Sequence, residues 1–339
     1  MSDWQSTETI ETACAWLAGR QRIALVTHQK PDGDAAGATL ALGRTVRRLG
    51  RQAAVIYAGP EPHWLGEFGA GGEWALVERD GLPQDDFDAV VICDTGSRDQ
   101  LGPLLPLVSR SSGRCLIIDH HLSGEGDLAD RLLIDTRAAA VCEPIGRLCA
   151  RMLDCPVAGL PREIAEALYL GVGTDTGWLR YSNVTPRTLR LAAELIEAGA
   201  DPAGVYERVE QRERAARIRL LARALGSLRL LVDETLAVLR ITREDIRLAG
   251  AAPSDTGGFT DLPMSIRSVR VVAVLTEVEA EGGAPLTKIS LRSKPGPGAV
   301  DVNQIAAALG GGGHARAAGA RIGVDLDSAE AAIIKALGG

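Results

Sequence analysis

Aromatic side chains make up only 4% of this 339-residue chain. That scarcity argues against a protein that lays a long single strand of nucleic acid along a row of stacking rings. Positive charge is short as well: 37 lysines and arginines face 44 aspartates and glutamates, for a formal charge of −7. No bulk positive potential is available to coat a polyanion, so an anionic ligand must be met locally, by metal ions and a few basic side chains. The six cysteines (Cys14, Cys93, Cys115, Cys142, Cys149 and Cys155) form no CxxC pair and lie in apolar surroundings. They read as reduced core residues. No run approaches the ~18 uninterrupted apolar residues of a membrane span, and the opening MSDWQSTETIETA lacks the basic-then-apolar build of a signal peptide. The expected setting is cytoplasmic, away from any membrane.

What the chain does have is core material. An apolar fraction of 46% with 24% charged residues describes an ordinary globular protein, and the length suggests two lobes. The first ~200 residues alternate short apolar runs with helical patterns, as in an α/β parallel sheet covered by helices on both faces. Ile23 to Thr27, Ala53 to Tyr57, Ala89 to Cys93 and Cys115 to Ile118 read as strands; Asp34 to Leu49, Ala138 to Leu153, Pro161 to Val172 and Pro186 to Ala198 read as helices. After Ala200 the segment DPAGVYERVEQRERAARIRLLARALGSL is charged and reads as one interdomain helix with a solvated face. Beyond it, a hairpin over Leu228 to Ile241, strands over Val269 to Val278 and Thr287 to Arg292, and a closing helix make a smaller α/β domain. The expected division is 1–205, a helical linker 206–226, and 227–339.

Four clusters of metal-binding residue types follow apolar segments: His28, Asp32 and Asp34 in HQKPDGD, Asp94 in VVICDTG, Asp119 with His120 and His121 in LIIDHH, and Asp175 in GVGTDTG. Three of the four fall at the carboxyl ends of predicted strands, where open parallel sheets gather ligands. Their oxygen and nitrogen donors suffice for a pair of divalent ions. Each has a plainer reading taken singly. Asp34 is a ready helix cap, and Asp175 a turn former. Asp94, with two oxygens after a buried strand, is the candidate to bridge two ions. His120 and His121 are adjacent and cannot point the same way: one is placed to bind metal and the other to face substrate. Asp119 either ligates or orients an imidazole, and the sequence leaves both open. His63, alone in PEPHWLG, reads as a surface or packing histidine.

The carboxyl-terminal GGGGHARAAG is a signal of another kind. Consecutive glycines remove side chains where a backbone must approach a ligand, and exposed amides bind phosphate. Gly311, Gly312 and Gly313 with His314 and Arg316, and Arg292 and Lys294 in the preceding SLRSKPG, are the candidate substrate contacts.

Taken together, HQKPDGDAAG, the isolated Asp94, IDHH, TDTG and GGGGHARAAG make the sequence resemble the DHH phosphoesterase superfamily over nearly its whole length. The resemblance implies a catalytic DHH domain followed by a DHHA1 domain that grips the nucleotide part of a substrate. It implies two Mn²⁺ ions, with Mg²⁺ or Co²⁺ as substitutes: His28, Asp32 and Asp94 around one, and Asp34, Asp94, His120 and Asp175 around the other. His121, Asp119 and Asp94 would then serve catalysis, with His121 at the scissile phosphate or the leaving group, and a hydroxide shared by the ions would attack phosphorus. The compact two-domain arrangement is similar to the NrnA group. That likeness implies hydrolysis of short RNA oligonucleotides and of 3′-phosphoadenosine 5′-phosphate (pAp), with a homodimer favoured by analogy. A cyclic or linear dinucleotide phosphodiesterase, or a nucleotide-binding regulator without turnover, are the competing expectations. The complete donor set argues against the regulator.

Overall fold

The computed structural model describes residues 4–69, 72–279, 284–296 and 298–338. The chain divides into two compact units, Met1–Arg212 and Glu213–Gly339. The first is built on six parallel strands, β1 (Arg22–Val26), β2 (Gln52–Tyr57), β3 (Trp74–Leu76), β4 (Ala89–Cys93), β5 (Cys115–Asp119) and β6 (Arg131–Ile134), in the spatial order β3-β2-β1-β4-β5-β6. The central strands are continuous apolar runs, residues 23–26 and Ala89–Cys93, because both faces are covered. Along β4, Val91 and Cys93 join one core cluster while Val90 and Ile92 join the other, as side chains of period two must. The short β3 and β6 escape a sequence reading because three or four apolar residues between charged neighbours carry too little periodicity.

Strand order places the functional loops. From β1 the chain runs outward through β2 to β3, then returns to lay β4 against the other side of β1. The loops leaving β1 and β4 therefore open side by side at the carboxyl edge of the sheet, at the switch point where such folds leave a crevice.

Above that edge the Gly33–Arg48 helix packs closely on the Arg162–Asp175 helix, and glycine permits the approach. A Cβ at Gly37 would lie 2.3 Å from the Ala167 carbonyl, and one at Gly171 would lie 2.3 Å from Cys142 Sγ and 2.5 Å from Asp34 Oδ1. The cap of the Gly33–Arg48 helix is Asp32, whose carboxylate accepts the amides of Asp34 and Ala35. Asp34 caps a different helix: fully buried, it accepts the amides of Val141 (2.5 Å) and Cys142 (3.0 Å) at the start of Cys142–Met152. The helix bearing Asp175 extends through that residue, so Asp175 is the last residue of Arg162–Asp175 and not part of a following turn.

Where a single helix is expected across 206–226, two occur. Pro202–Glu210 packs within the first unit and Ala215–Gly226 within the second, with residues 211–214 between them outside any helix. The second unit holds β7 (Arg229–Leu231), β8 (Leu236–Ile241), β9 (Val271–Glu277), β10 (Thr287–Ser293), β11 (Gly312–His314) and β12 (Ala317–Ile322) in the order β11-β12-β10-β9-β8-β7. Among the described residues of this unit, only β8 and β9 pair in parallel. Gly312 and Gly313 of the glycine run lie in the edge strand β11. No described helix is long and apolar enough to cross a membrane. All six cysteines are free; four are buried, while Cys14 and Cys155 are only partly so.

Gly37→Ala forces a methyl group into a carbonyl that cannot retreat. Overpacking of this kind costs about 1–3 kcal/mol, and a urea midpoint unchanged from the parent would contradict the packing described.

Candidate metal centre

Every residue of the four sequence clusters converges at the carboxyl edge of the parallel sheet. Three groups of donors form there, each with its ligand atoms within 4.8 Å of one another: His28, Asp32 and Asp94; Asp34, His120 and Asp175; and Asp94, Asp119, His120 and His121. Asp94 joins the first two. Its Oδ2 lies 3.6 Å from His28 Nε2, and its Oδ1 lies 3.4 Å from His120 Nε2. His120 Nε2 is also 3.4 Å from Asp175 Oδ2 and 3.8 Å from Asp34 Oδ2, while His28 Nε2 is 3.9 Å from Asp32 Oδ1. Asp94 is 3% exposed and holds a φ of 61°, a left-handed backbone uncommon outside glycine that turns its carboxylate back over the sheet edge.

The imidazoles are oriented by their other nitrogens. His28 Nδ1 lies 2.8 Å from the Gln29 carbonyl, and His120 Nδ1 lies 3.2 Å from the Ala138 carbonyl. A carbonyl only accepts, so Nδ1 must carry the proton. In the neutral ring each Nε2 then presents a lone pair to carboxylate oxygens that are also lone-pair donors. That arrangement demands something positive between them, either a proton on Nε2 or a metal ion, and a carbonyl-oriented imidazole is the usual support of a metal ligand.

The electrostatics state the same demand. Burial opposes the charged form of His28, yet contact with Asp94, the Gln29 carbonyl and the charges of Asp32 and Asp94 raise its pKa to about 9. His120 is likewise raised to about 10 against its burial, chiefly by Asp94, then by Asp34 and Asp175. Burial, followed by the charges of Asp94 and Asp32, lifts Asp175 to about 7. Asp34 is pushed well above the usual carboxylate range by burial and by Asp94 and Asp175. Asp94 is held low by His120 and His28 although burial works the other way. Four carboxylates and two neutral imidazoles carry a charge that two divalent cations neutralise. Asp94 Oδ1, buried and without a hydrogen-bond partner, is free to meet one. The donor set fits a pair of divalent ions.

Asp119 ends β5 fully buried, and its Oδ1 accepts from the amides of His120 (2.7 Å) and His121 (3.2 Å) and from His121 Nδ1 (2.7 Å). Of the two roles left open by the sequence, Asp119 Oδ1 is engaged in orienting His121. Its Oδ2 has no hydrogen-bond partner. His121, with 53% of its side chain exposed, has its pKa raised first by this Asp119 bond. The adjacent histidines thus diverge, His120 into the cluster and His121 toward solvent.

Several supporting residues have no sequence signal. Trp4 Nε1 donates to the His121 carbonyl (2.9 Å) from 117 positions away. Asn183 Nδ2 donates to the carbonyls of Ala139 (3.2 Å) and Asp175 (3.0 Å), tying two site segments together. Between Asp175 and Asn183 the backbone takes three consecutive left-handed residues, Gly177 (φ 54°), Trp178 (60°) and Leu179 (64°). For the two non-glycine residues this conformation costs about 1–2 kcal/mol each. The turn is held by Thr176, whose carbonyl accepts the amides of Arg180 and Tyr181 (both 2.9 Å) and whose Oγ1 accepts that of Leu179 (3.0 Å).

The second-unit candidates separate into two sets. Arg292 and Gly312 line a cavity of about 380 Å³ on the sheet, together with Lys288, Ser290 and Gly319. The sequence reading passes over Lys288 and Ser290, although a signal exists in TKISLRS, where polar residues alternate with buried Thr287, Ile289 and Leu291. Gly311, Gly313, His314 and Arg316 are exposed and do not line this cavity. The two glycines have a packing role. A Cβ at Gly311 would meet the Gly319 carbonyl at 2.1 Å, and one at Gly313 the Ala317 carbonyl at 2.5 Å, so both admit the neighbouring strand β12. Arg316 Nη1 donates to the Lys294 carbonyl (2.6 Å), and His63 is exposed.

Comparison with known proteins agrees with this geometry. Residues 22–172 match the DHH family N-terminal domain and residues 235–338 match the DHHA1 domain. A relative from Thermus thermophilus, the bifunctional oligoribonuclease and PAP phosphatase NrnA, is 31% identical over 320 residues, covering 93% of this chain and 89% of its own. The NrnA of Bacillus subtilis is 25% identical over 305 residues, 88% of this chain and 89% of its own. A crystal structure of an exopolyphosphatase-related protein from Bacteroides fragilis superposes with a TM-score of 0.82 at 26% identity, covering 97% of this chain and 95% of that one. The chain belongs to the DHH phosphoesterase family, in its DHH and DHHA1 two-domain form, and is a hydrolase of phosphoester bonds.

The pKa shifts set a pH dependence. A group whose pKa is higher folded than unfolded binds more protons in the native state, so its stabilising contribution is full below the unfolded pKa and is lost as pH rises through the folded one. For Asp175 that window runs from the ordinary carboxylate value of 3.8 to about 7; for His28 and His120 it runs from 6.5 to about 9 and about 10. Chelator-treated protein is expected to lose thermal stability from pH 6.5 to 9, and added divalent cation to raise Tm more at pH 8.5 than at pH 6. A flat or rising Tm in chelator over that range would contradict the electrostatics described.

Proposed function

We propose that this protein is a dinuclear, Mn²⁺-dependent phosphoesterase that hydrolyses short oligoribonucleotides and 3′-phosphoadenosine 5′-phosphate. The observation that carries the proposal is Asp94, whose two oxygens face two imidazoles locked with their Nε2 atoms inward. One ion is assigned to His28, Asp32 and Asp94 and the other to Asp34, Asp94, His120 and Asp175. A mixed nitrogen and oxygen donor set suits manganese better than magnesium. When bound, the two ions supply Lewis-acid polarisation of a phosphoryl oxygen and make nearby water more acidic.

The protein's own groups account for orientation and proton transfer. Asp94, buried and fixed at the end of β4, sets the spacing of the two donor groups. Asp34 holds its position through the amides of Val141 and Cys142, so the Cys142–Met152 helix start and the centre are fixed together. As water adds to phosphorus, giving up a proton to solvent, and the ester P–O bond breaks, the leaving oxygen takes its proton from His121 Nε2, which is reprotonated from solvent. Asp119 keeps the His121 ring in that orientation and favours its protonated form.

The substrate class is supported by the named activities of the NrnA relatives, which match this chain over most of both lengths. The cavity bearing Lys288 and Arg292 is suited to hold a terminal phosphate or nucleotide, and an acidic chain with few rings suits a short ligand. Free cysteines throughout suit a reducing, cytoplasmic setting.

Purified protein loaded with Mn²⁺ is expected to release nucleotide from di- to pentaribonucleotides, or phosphate from pAp, faster than it acts on pGpG or cyclic di-AMP. Inactivity on the whole panel would reject the reading, and preference for a cyclic dinucleotide would redirect it. His121→Gln is expected to keep its metal content and lose about 10²–10⁴-fold in kcat on ribonucleotides. The loss should shrink on a p-nitrophenyl phosphodiester, whose leaving group needs no proton; an equal loss on both would remove His121 as the acid.

A further inference from the structure

The left-handed turn after Asp175 is unexplained by the ion-binding residues themselves. Three consecutive left-handed residues, one a tryptophan and one a leucine, persist only where surroundings over-determine them, and such strain gathers at functional sites. Trp178 is the anchor. Its ring sits where a Cβ of Gly173 would come within 2.7 Å, packs edge-on to Tyr206 with centroids 4.9 Å apart, and donates Nε1 to Glu210 (3.1 Å). The other end returns at Asn183, whose side chain bonds the Asp175 carbonyl. The excursion 176–182 is therefore closed upon the residue that bears one of the metal-binding carboxylates.

What this closed turn displays is Arg180 and Tyr181. The Tyr181 ring lies over the backbone of Gly177, where a Cβ would meet its Cζ at 2.3 Å and its Cε1 at 2.4 Å, yet 58% of the residue remains exposed. The ring rests against peptide while more than half of the residue is open to solvent. Gly177 lies two residues from Asp175, within about 7 Å along the chain. Arg180 donates Nε to the Gly177 carbonyl (2.6 Å), and among the described residues no carboxylate pairs with it, so its Nη atoms are free beside a centre that acts on phosphate. An open aromatic ring next to an unpaired guanidinium is the pairing that holds a nucleotide by base and phosphate together.

We propose that Tyr181 and Arg180 form a nucleotide subsite on the catalytic unit, Tyr181 stacking on a nucleobase next to the scissile phosphate and Arg180 contacting a phosphate of the same oligonucleotide. The inference rests on the phosphoesterase reading above and assigns it a base-contacting residue in the first unit.

The test compares wild type, Tyr181→Ala and Tyr181→Phe, loaded with Mn²⁺, on a diribonucleotide and on its abasic counterpart. One base stack is worth ~1–3 kcal/mol, so Tyr181→Ala is expected to raise KM for the diribonucleotide about 5- to 150-fold with kcat little changed. Tyr181→Phe should restore it, and the abasic substrate should not distinguish the three proteins. Unchanged KM in Tyr181→Ala, an equal rise on the abasic substrate, or loss of bound metal would each overturn the subsite. If wild type cleaves no oligonucleotide, the phosphoesterase reading fails on its own. The subsite is then read by equilibrium binding of adenosine 5′-monophosphate against ribose 5-phosphate, where equal adenosine affinity in wild type and Tyr181→Ala overturns it.

Discussion

The first unit depends on the confrontation of Asp94 with two imidazoles that cannot turn away. His28 and His120 are each held by a carbonyl at Nδ1, and Asp94 is held by a left-handed backbone at the end of a strand buried on both faces. Neither side can relax by rotating, so the facing lone pairs must be reconciled by positive charge. Without ions the reconciliation falls to protons, which is why the two histidines become strong bases and Asp175 a weak acid. A site that concentrates protons in the absence of metal is a site whose donors are already in position for metal, at the cost of stability that rigid burial of like charges always entails.

Packing enforces the same rigidity. Asp34 sits where three helices meet, its carboxylate on the first amides of Cys142–Met152 and its Cα close enough to Gly171 that a Cβ there would come within 3.0 Å. The glycines of the Gly33–Arg48 and Arg162–Asp175 helices let the backbones approach until no side chain separates them. Asp34 and Asp175, far apart in sequence, are brought together by that approach and both face His120. The geometry of the centre is therefore a consequence of helix packing as much as of the loops that carry the recognisable motifs.

This explains which parts of the site were legible in the sequence. The donors themselves were, because short polar clusters after apolar runs stand out and because carboxyl ends of parallel strands are where such clusters matter. The divergent roles of His120 and His121 were legible only as an alternative, since adjacency says that two rings part but not which way each goes. Asp32, and not Asp34, caps the Gly33–Arg48 helix because a cap is decided by which carboxylate reaches the free amides, and two candidates two residues apart look alike in sequence. Trp4, Ala138 and Asn183 were invisible: a carbonyl has no residue type, and a tryptophan 117 positions away has no local pattern. In the second unit the glycine run was noticed for a real reason, the need for close approach. The partner approached by Gly311 and Gly313 is a neighbouring strand, a distinction that spacing cannot make.

Residues 211–214 form the short non-helical join between two helices that each belong to a different core. Among the described residues each core cluster is built from side chains on one side of that join, so each half can accumulate mutations in its own interior. Change in the interior of the carboxyl-terminal half can then proceed without repacking the half that carries the hydrolytic centre, so one inherited engine is open to new ligand preferences.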